Sequence, residues 1–293
     1  MSRFSAKKYN RKSPFFSRVP PLRAETVRIL FFEVFCMGII DFHTHPYPGP
    51  AQCFAFYPNM APLTPEAMRQ QLLGVGITHI CGSVLNQDRS FSLRGLNDAT
   101  LLLRDLLGDF YTPGFHVHPD CTDNSLAEIE RMHAGGVNLI GELVPYMHGW
   151  GKFAERPCIE ELTPILDLAE KYHMVFSFHT MWDWPLDELI ASHPGVTFVA
   201  AHPGERDSVA RHIERMKKFD NVYLDLSGTG IFRFGCIRYL VDQVGAERIL
   251  FGTDYPICNP EMYVHAVLGE QLGSRAEQLI FHDNAAHLLG LED

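Results

Sequence analysis

The sequence has no apolar run long enough to span a bilayer as a helix, which takes about 20 residues. It also has no C-x-x-C pair, and its seven cysteines are odd in number and scattered along 293 residues. That pattern argues against both a disulfide framework and a thiolate zinc site, and it fits a reducing cytoplasm. Positive charge is scarce, with 25 Lys and Arg against 35 Asp and Glu. Phosphate backbones are bound by Lys and Arg, so a broad nucleic-acid surface is not expected. No predicted strand is followed by the Gly-rich phosphate fingerprint that opens a dinucleotide-binding fold. No segment is of low complexity.

Residues 1–36 differ in character from the rest of the chain. They carry eight Lys and Arg against Glu25 and Glu33, a charge of +6, which leaves −16 for residues 37–293. A basic stretch followed by the apolar residues 29–40 invites a signal-peptide reading, but Glu33 interrupts the apolar part and no small-residue cleavage site follows. Met37 as the true start, a mobile arm and an organelle-targeting extension are the other readings. No chemistry is expected in this extension.

From residue 37 onward the pattern is strand, loop, helix, repeated. Apolar strands are predicted over 38–42, 77–84, 111–117, 137–142, 174–179, 196–202, 222–226 and 248–254. Helical segments fall between and after them at 64–74, 96–107, 124–133, 159–173, 186–192, 207–219, 232–244 and 274–289. Thr64-Pro65 opens the first with a hydroxyl cap and a proline in the first turn. Eight near-continuous hydrophobic strands alternating with helices in about 250 residues predict an α/β fold, a (β/α)8 TIM barrel of one domain over 37–293.

Active sites of such barrels form where strands end at their C-terminal side. Reading those ends gives His43 and His45 (strand 1), Glu142 (strand 4), His179 (strand 5), His202 (strand 6) and Asp254 (strand 8). His43 and His45 are two apart, so an extended backbone points both to one face. Imidazole and carboxylate together suit a divalent cation, zinc or else manganese. The chain has 15 histidines, more than packing alone requires. A second His-x-His, His116 and His118, also ends a strand; His118 is read as pocket-lining rather than as a ligand.

The segments Ile40-Asp-Phe-His-Thr-His45, Phe178-His179, Ala201-His-Pro-Gly204 and Gly252-Thr-Asp-Tyr-Pro256 together resemble the amidohydrolase superfamily of metal-dependent hydrolases. The closing Asn284-Ala-Ala-His-Leu-Leu-Gly290 is similar to the tail helix of the amidohydrolase 2 branch, which includes aminocarboxymuconate-semialdehyde decarboxylase and related hydrolases and decarboxylases. The resemblance implies that His43, His45, His179 and Asp254 bind a metal. His202 then ligates a second ion or acts as the base that orients water. Glu142 either bridges two ions or contacts substrate.

In the implied mechanism the cation lowers the pKa of water to about 7. Asp254 takes a proton from the nucleophile and passes it to the leaving group. Asp41 either supports a ligating histidine or faces outward.

The expected substrate is a small molecule, an amide, ester or lactone. Tyr57, His118, Tyr146 and Trp150 are candidate contacts. Arg233 is a candidate for neutralising a carboxylate in the alternative reading, a decarboxylase or hydratase. A nuclease like the TatD type is disfavoured by the acidic body. No membrane partner is expected, and the sequence leaves a homo-oligomer open.

Overall fold

The computed structural model describes residues 38–53, 61–86, 92–150, 159–179 and 183–291. The basic extension, the loop aromatics Phe54, Phe56 and Tyr57, and most of the segment before residue 159 lie outside these. Eight parallel strands run in the order of the chain: β1 (Ile39–Thr44), β2 (Ile77–Ser83), β3 (Tyr111–Phe115), β4 (Leu139–Leu143), β5 (Val175–His179), β6 (Thr197–Ala201), β7 (Val222–Asp225) and β8 (Ile249–Leu250). The ring closes through backbone groups of β1 and the segment after β8. Phe42 N–H donates to Phe251 O (2.9 Å), Asp254 N–H to His43 O (2.8 Å) and His45 N–H to Tyr255 O (2.6 Å). The protein is a (β/α)8 barrel.

The helices follow the strands that precede them: α1 (Pro65–Leu73), α2 (Leu93–Leu107), α3 (Thr122–Ala134), α4 (Ile159–Lys171), α5 (Asp183–Ser192), α6 (Arg206–Lys218), α7 (Cys236–Val244) and α8 (Pro260–Gly269). Thr64 caps α1 as its sequence predicts, its hydroxyl accepting from Ala67 N–H at 3.2 Å. The chain closes with α9 (Ser274–Gln278) and α10 (Asn284–Leu289), joined by a wider-wound turn, Leu279–Asp283, so the predicted helix 274–289 is one rod with an altered middle. The main core lies between strands and helices, with Phe115, Ile140, Phe176, Phe198, Leu224 and Ile249 facing outward from the sheet into it. A smaller cluster around Ile40, Leu139, Val175, Val199 and Leu250 holds residues of the opposite strand parity, as the two-residue period of strands requires.

Two strands are irregular where they carry site residues. Pairing shifts between Asp41 and Thr44 in β1, around His43, and between Ile140 and Leu143 in β4, around Glu142. Such bulges re-aim side chains beside active sites. Gly141 has φ +102°, and a Cβ there would overlap Ser177 O, so only glycine lets β4 approach β5 this closely just before Glu142. The eighth strand is shorter than the predicted 248–254. Phe251 N–H donates to Ile280 O (2.9 Å) rather than to a neighbouring strand, and further on Asp254 lies in the left-handed region (φ 66°) with Thr253 turned toward Asp41.

Candidate metal centre

Six side chains from five separate elements meet above the strand ends. Glu142 lies at their centre and is buried. Its Oε2 is 3.2 Å from His43 Nε2 and 3.4 Å from His45 Nε2. Its Oε1 is 3.0 Å from His179 Nδ1 and 3.4 Å from His202 Nε2. Asp254 Oδ1 completes the first side, 3.3 Å from His45 Nε2 and 3.7 Å from His43 Nε2. The two oxygens of one carboxylate thus face two different pairs of histidines. Two groups able to hold a cation, His43–His45–Glu142 and Glu142–His179–His202, share that residue.

The hydrogen-bond partners fix which ring atoms are available. His43 Nδ1 is 2.8 Å from Asp225 Oδ2, and His45 Nδ1 is 3.1 Å from the carbonyl of Ser83. A carboxylate and a carbonyl accept only, so each neutral ring carries its proton on Nδ1 and turns an Nε2 lone pair inward. Those two Nε2 atoms are 3.3 Å apart. Together with Glu142 Oε2 and Asp254 Oδ1 they make four electron-pair donors with no proton donor among them. A tetrahedral zinc site has bonds of about 2.0–2.1 Å, which puts its ligand atoms about 3.3 Å from one another. The separations here run from 3.2 to 3.7 Å. The donor set fits a divalent cation in both chemistry and spacing.

Asp225, at the end of β7, is the residue that sequence reading passed over. It is fully buried and accepts from His43 Nδ1–H on Oδ2, while its Oδ1 accepts from Ser227 N–H (3.0 Å) and from the Ser227 hydroxyl. Ser227 Oγ in turn lies 2.9 Å from His202 Nδ1, so one short polar chain orients His43 and His202 alike. The signal was the one used for the other strands, a polar residue ending an apolar run. Gly228 (φ +60°) comes next in the chain, and a Cβ there would overlap the His202 ring. His202 itself has φ 66°. The third possible grouping, His43–His202–Asp225, is better described as this hydrogen-bonded chain, because its His43 atom is the protonated Nδ1.

Asp41 faces inward and supports the backbone of a candidate ligand, His43, rather than its ring. It is fully buried, yet it touches no imidazole. Its Oδ1 accepts from His43 N–H (3.2 Å) and Thr253 N–H (3.0 Å), and its Oδ2 from the Thr253 hydroxyl (2.5 Å). It ties β1 to the segment after β8. Burial pushes its carboxyl up to about 7, against the hydrogen bonds of Thr253.

Burial disfavours charge throughout the cluster, and the cluster is charged regardless. His43 is held well above the ordinary imidazole range by Asp225 and Glu142, and His45 is pushed up to about 9 by Asp254 and Glu142. His202 is raised by Glu142. Glu142 is held well below the usual carboxylate range, chiefly by His43, then His179 and His202. The carboxylates draw positive charge into this pocket, and a divalent cation would supply it in place of protons, taking the inward lone pairs of the neutral rings.

The other expected contacts divide. The Tyr146 ring, 53% exposed, stands edge-on to His179 with centroids 5.4 Å apart. His118 is buried and caps a tight turn, its Nδ1 accepting from Asp120 N–H at 3.1 Å, and its ring lies 6.0 Å from that of the buried Trp150. Trp150 and His179 line one small apolar crevice beneath the site. Arg233 is not brought to the group. It lies on the surface, bonded to both oxygens of Glu205 (3.2 and 3.3 Å) and against the Phe232 ring. Tyr57 lies outside the described residues.

His116, the partner of His118 in the second His-x-His, faces Val84 O at 2.8 Å and packs edge-on against His148, centroids 4.4 Å apart. Burial lowers His116 to about 4 and His148 well below the ordinary range, so both are neutral.

The amidohydrolase family model (Amidohydro_2) matches residues 40–291, and the chain belongs to that family, whose members are metal-dependent hydrolases or decarboxylases. The protein is accordingly an enzyme. Among curated proteins, none matches the chain. Solved structures share its fold. An uncharacterised TIM-barrel protein of Bordetella bronchiseptica is 19% identical, with a TM-score of 0.63 over 86% of this chain and 98% of that one. The 2,6-dihydroxybenzoate decarboxylase from Rhizobium is 15% identical, with a TM-score of 0.63 over 87% and 99%. A proposed 2-pyrone-4,6-dicarboxylic acid hydrolase from Pseudomonas putida is 18% identical, with a TM-score of 0.59 over 87% and 98%. Among the described residues, no helix is long and apolar enough to cross a membrane.

Proposed function

We propose that this chain is a hydrolase of a small amide, ester or lactone, built on a two-cation centre in which Glu142 is shared. The observation that carries the reading is the division of the Glu142 carboxylate, Oε2 toward His43 and His45 and Oε1 toward His179 and His202. His43, His45 and Asp254 would hold one ion with Glu142, and His179 and His202 the other. Zinc suits these nitrogen and oxygen donors, and manganese is the alternative. When bound, such ions supply Lewis acidity, polarising a carbonyl and lowering the pKa of water to about 7.

The chain's own groups do the rest. Asp254 is the more accessible of the two carboxylates, with 11% of its side chain exposed against 3% for Glu142. It is therefore the group placed to take the proton of the attacking water and return it to the leaving group. Its backbone N–H bond to His43 O fixes the loop from which it acts. Asp225 and Ser227 hold His43 and His202 in one ring orientation, which keeps the inward nitrogens as acceptors. His179 is the most open of the four histidines, and Tyr146 beside it supports approach of substrate from the loop after β4.

The second reading, a decarboxylase, draws on family membership and on what the Rhizobium structure is named for. It would need a cation to hold the substrate carboxylate, and Arg233 is engaged with Glu205 instead. The test is to strip the enzyme with a chelator, reload it with zinc or manganese, and incubate it with panels of lactones, esters, amides and aromatic acids. Mass spectrometry of the products distinguishes addition of water from loss of carbon dioxide. Water addition that returns only with metal supports hydrolysis. Turnover indifferent to the chelator, or loss of carbon dioxide alone, contradicts it.

A further inference from the structure

The second His-x-His, His116 and His118, takes no part in the cation groups found among the described residues, and both rings are buried. With His148, also buried, it lies where the loops after β2, β3 and β4 meet. Paired bonds hold its backbone in place. His116 N–H donates to Asn97 Oδ1 on α2 (2.8 Å), and Asn97 Nδ2 donates back to His116 O (3.1 Å). His118 N–H donates to Ser125 Oγ on α3 (2.8 Å), and that hydroxyl donates back to His118 O (3.0 Å).

The side chains then reach across to other loops. His116 Nε2 lies 2.8 Å from the carbonyl of Val84, so Nε2 carries the ring proton and donates. Val84 follows Ser83, whose carbonyl fixes His45 and whose hydroxyl donates to Glu142 O (3.3 Å). His118 Nδ1 accepts from Asp120 N–H (3.1 Å), which puts its proton on Nε2, and that edge bonds to the backbone of Gly149 and His148 in the loop after β4. Within this loop Val144 N–H donates to His148 Nδ1 (3.0 Å), and His148 N–H donates to Val144 O (2.9 Å). The His148 ring packs edge-on against His116, and buried Leu85, Val144 and Met147 seal the loop after β2 to the loop after β4. Burial lowers His118 as it does the other two, so all three rings are uncharged and keep these donor and acceptor roles.

We propose that His116, His118 and His148 form a clasp that makes one rigid wall of the three loops, and that His118 is the positioning residue that sets Tyr146 beside His179. Tyr146 lies between Val144 and His148, the two residues that close the turn, and its half-exposed ring stands against the most open of the candidate ligands. A wall fixed before substrate arrives leaves less freedom to be lost on binding. The clasp therefore acts on how tightly substrate is held and leaves the cations alone. This effect on substrate rests on the hydrolase reading, whereas the clasp itself does not.

Two substitutions separate the two edges of the His118 ring. His118→Gln keeps a donor at the place of Nε2 and loses the acceptor for Asp120, while His118→Asn keeps that acceptor and loses the reach to Gly149. Hydrogen exchange, read by mass spectrometry on the zinc-loaded full chain, follows the amides of Met147, His148 and Trp150, which bond within the loop. One hydrogen bond is worth about fivefold, so exchange across residues 144–150 is expected to quicken about fivefold in His118→Asn and to stay near wild type in His118→Gln. Zinc content and the circular dichroism spectrum stay unchanged in both. With p-nitrophenyl acetate as the probe, His118→Asn is expected to raise KM about fivefold at constant kcat, and to add nothing to the KM of Tyr146→Ala when the two are combined. Wild-type exchange in His118→Asn overturns the proposal, as does exchange in His118→Gln as fast as in His118→Asn. So does loss of zinc along with the loop, or a KM effect that adds to that of Tyr146→Ala. An enzyme that leaves the ester untouched counts against the hydrolase reading and the substrate effect, while the exchange rates alone decide the clasp.

Discussion

His43 Nδ1 lies 2.8 Å from Asp225 Oδ2, a contact between residues 182 apart in sequence and both buried. It commits the His43 proton outward and leaves Nε2 to face Glu142 and Asp254. Asp225→Asn keeps the shape but offers an amide that can present either a donor or an acceptor. Outer partners of this kind are worth about 10–100-fold in metal affinity. Zinc competition against a chromogenic chelator is expected to show a loss in that range, with the thermal transition of the metal-loaded fold lowered. Unchanged affinity would show that Asp225 does not orient a ligand.

Gly228 makes a second prediction. It has φ +60°, and a Cβ at that position would overlap the His202 ring. Gly228→Ala must therefore strain the backbone and displace His202 from Glu142 Oε1. The displacement is expected to cost kcat by at least about tenfold, since small misplacements in such sites are costly. A companion Gly235→Ala, also at positive φ but with no atom near its added Cβ, is the control for backbone strain alone. Equal losses in the two variants would contradict a steric cause.

Acid stability is the third. His212, buried on α6, is lowered to about 3 by burial and by Arg215 and Arg211, against a bond it donates to His202 O. It is neutral in the folded chain, while the unfolded chain protonates it near its usual 6.5. The unfolded state thus binds more protons below that value. The contribution is fully present above about pH 6.5 and is lost as pH falls toward 3, at most about 5 kcal/mol. Urea unfolding midpoints from pH 7 to pH 4 read the slope. His212→Gln keeps a donor without a titrating ring, so its midpoint is expected to fall less steeply across that window. A slope identical to wild type would show that His212 is not part of it.

Much of the barrel and its site was legible in the chain. Near-continuous apolar strands alternating with helices define the barrel, because strands covered on both faces cannot alternate in polarity. The ends of those strands delivered His43, His45, Glu142, His179, His202 and Asp254 to one place. The supporting layer was harder to read. Asp41 sits next to a histidine-bearing segment and looked like support for a ring, but its carboxylate goes to the His43 backbone N–H and to Thr253, while the ring of His43 is held by Asp225 from β7, two strands away around the barrel. Sequence proximity does not report the partner of a ring nitrogen. Arg233 was placed by charge alone, and its loop folds it onto Glu205 instead. The short β8 goes with a Phe251 N–H that donates to Ile280 O in the closing segment, a long-range partner that nothing in the composition of 248–254 announces.

The central claim is that one carboxylate, Glu142, is shared between two cations. Elemental analysis of metal per chain, on wild type and on Glu142→Gln after reconstitution with zinc, tests it most directly. Two ions are predicted in wild type and at most one in the variant, because the amide offers one acceptor oxygen where the carboxylate offers two. One ion per chain, unchanged in Glu142→Gln, would contradict it.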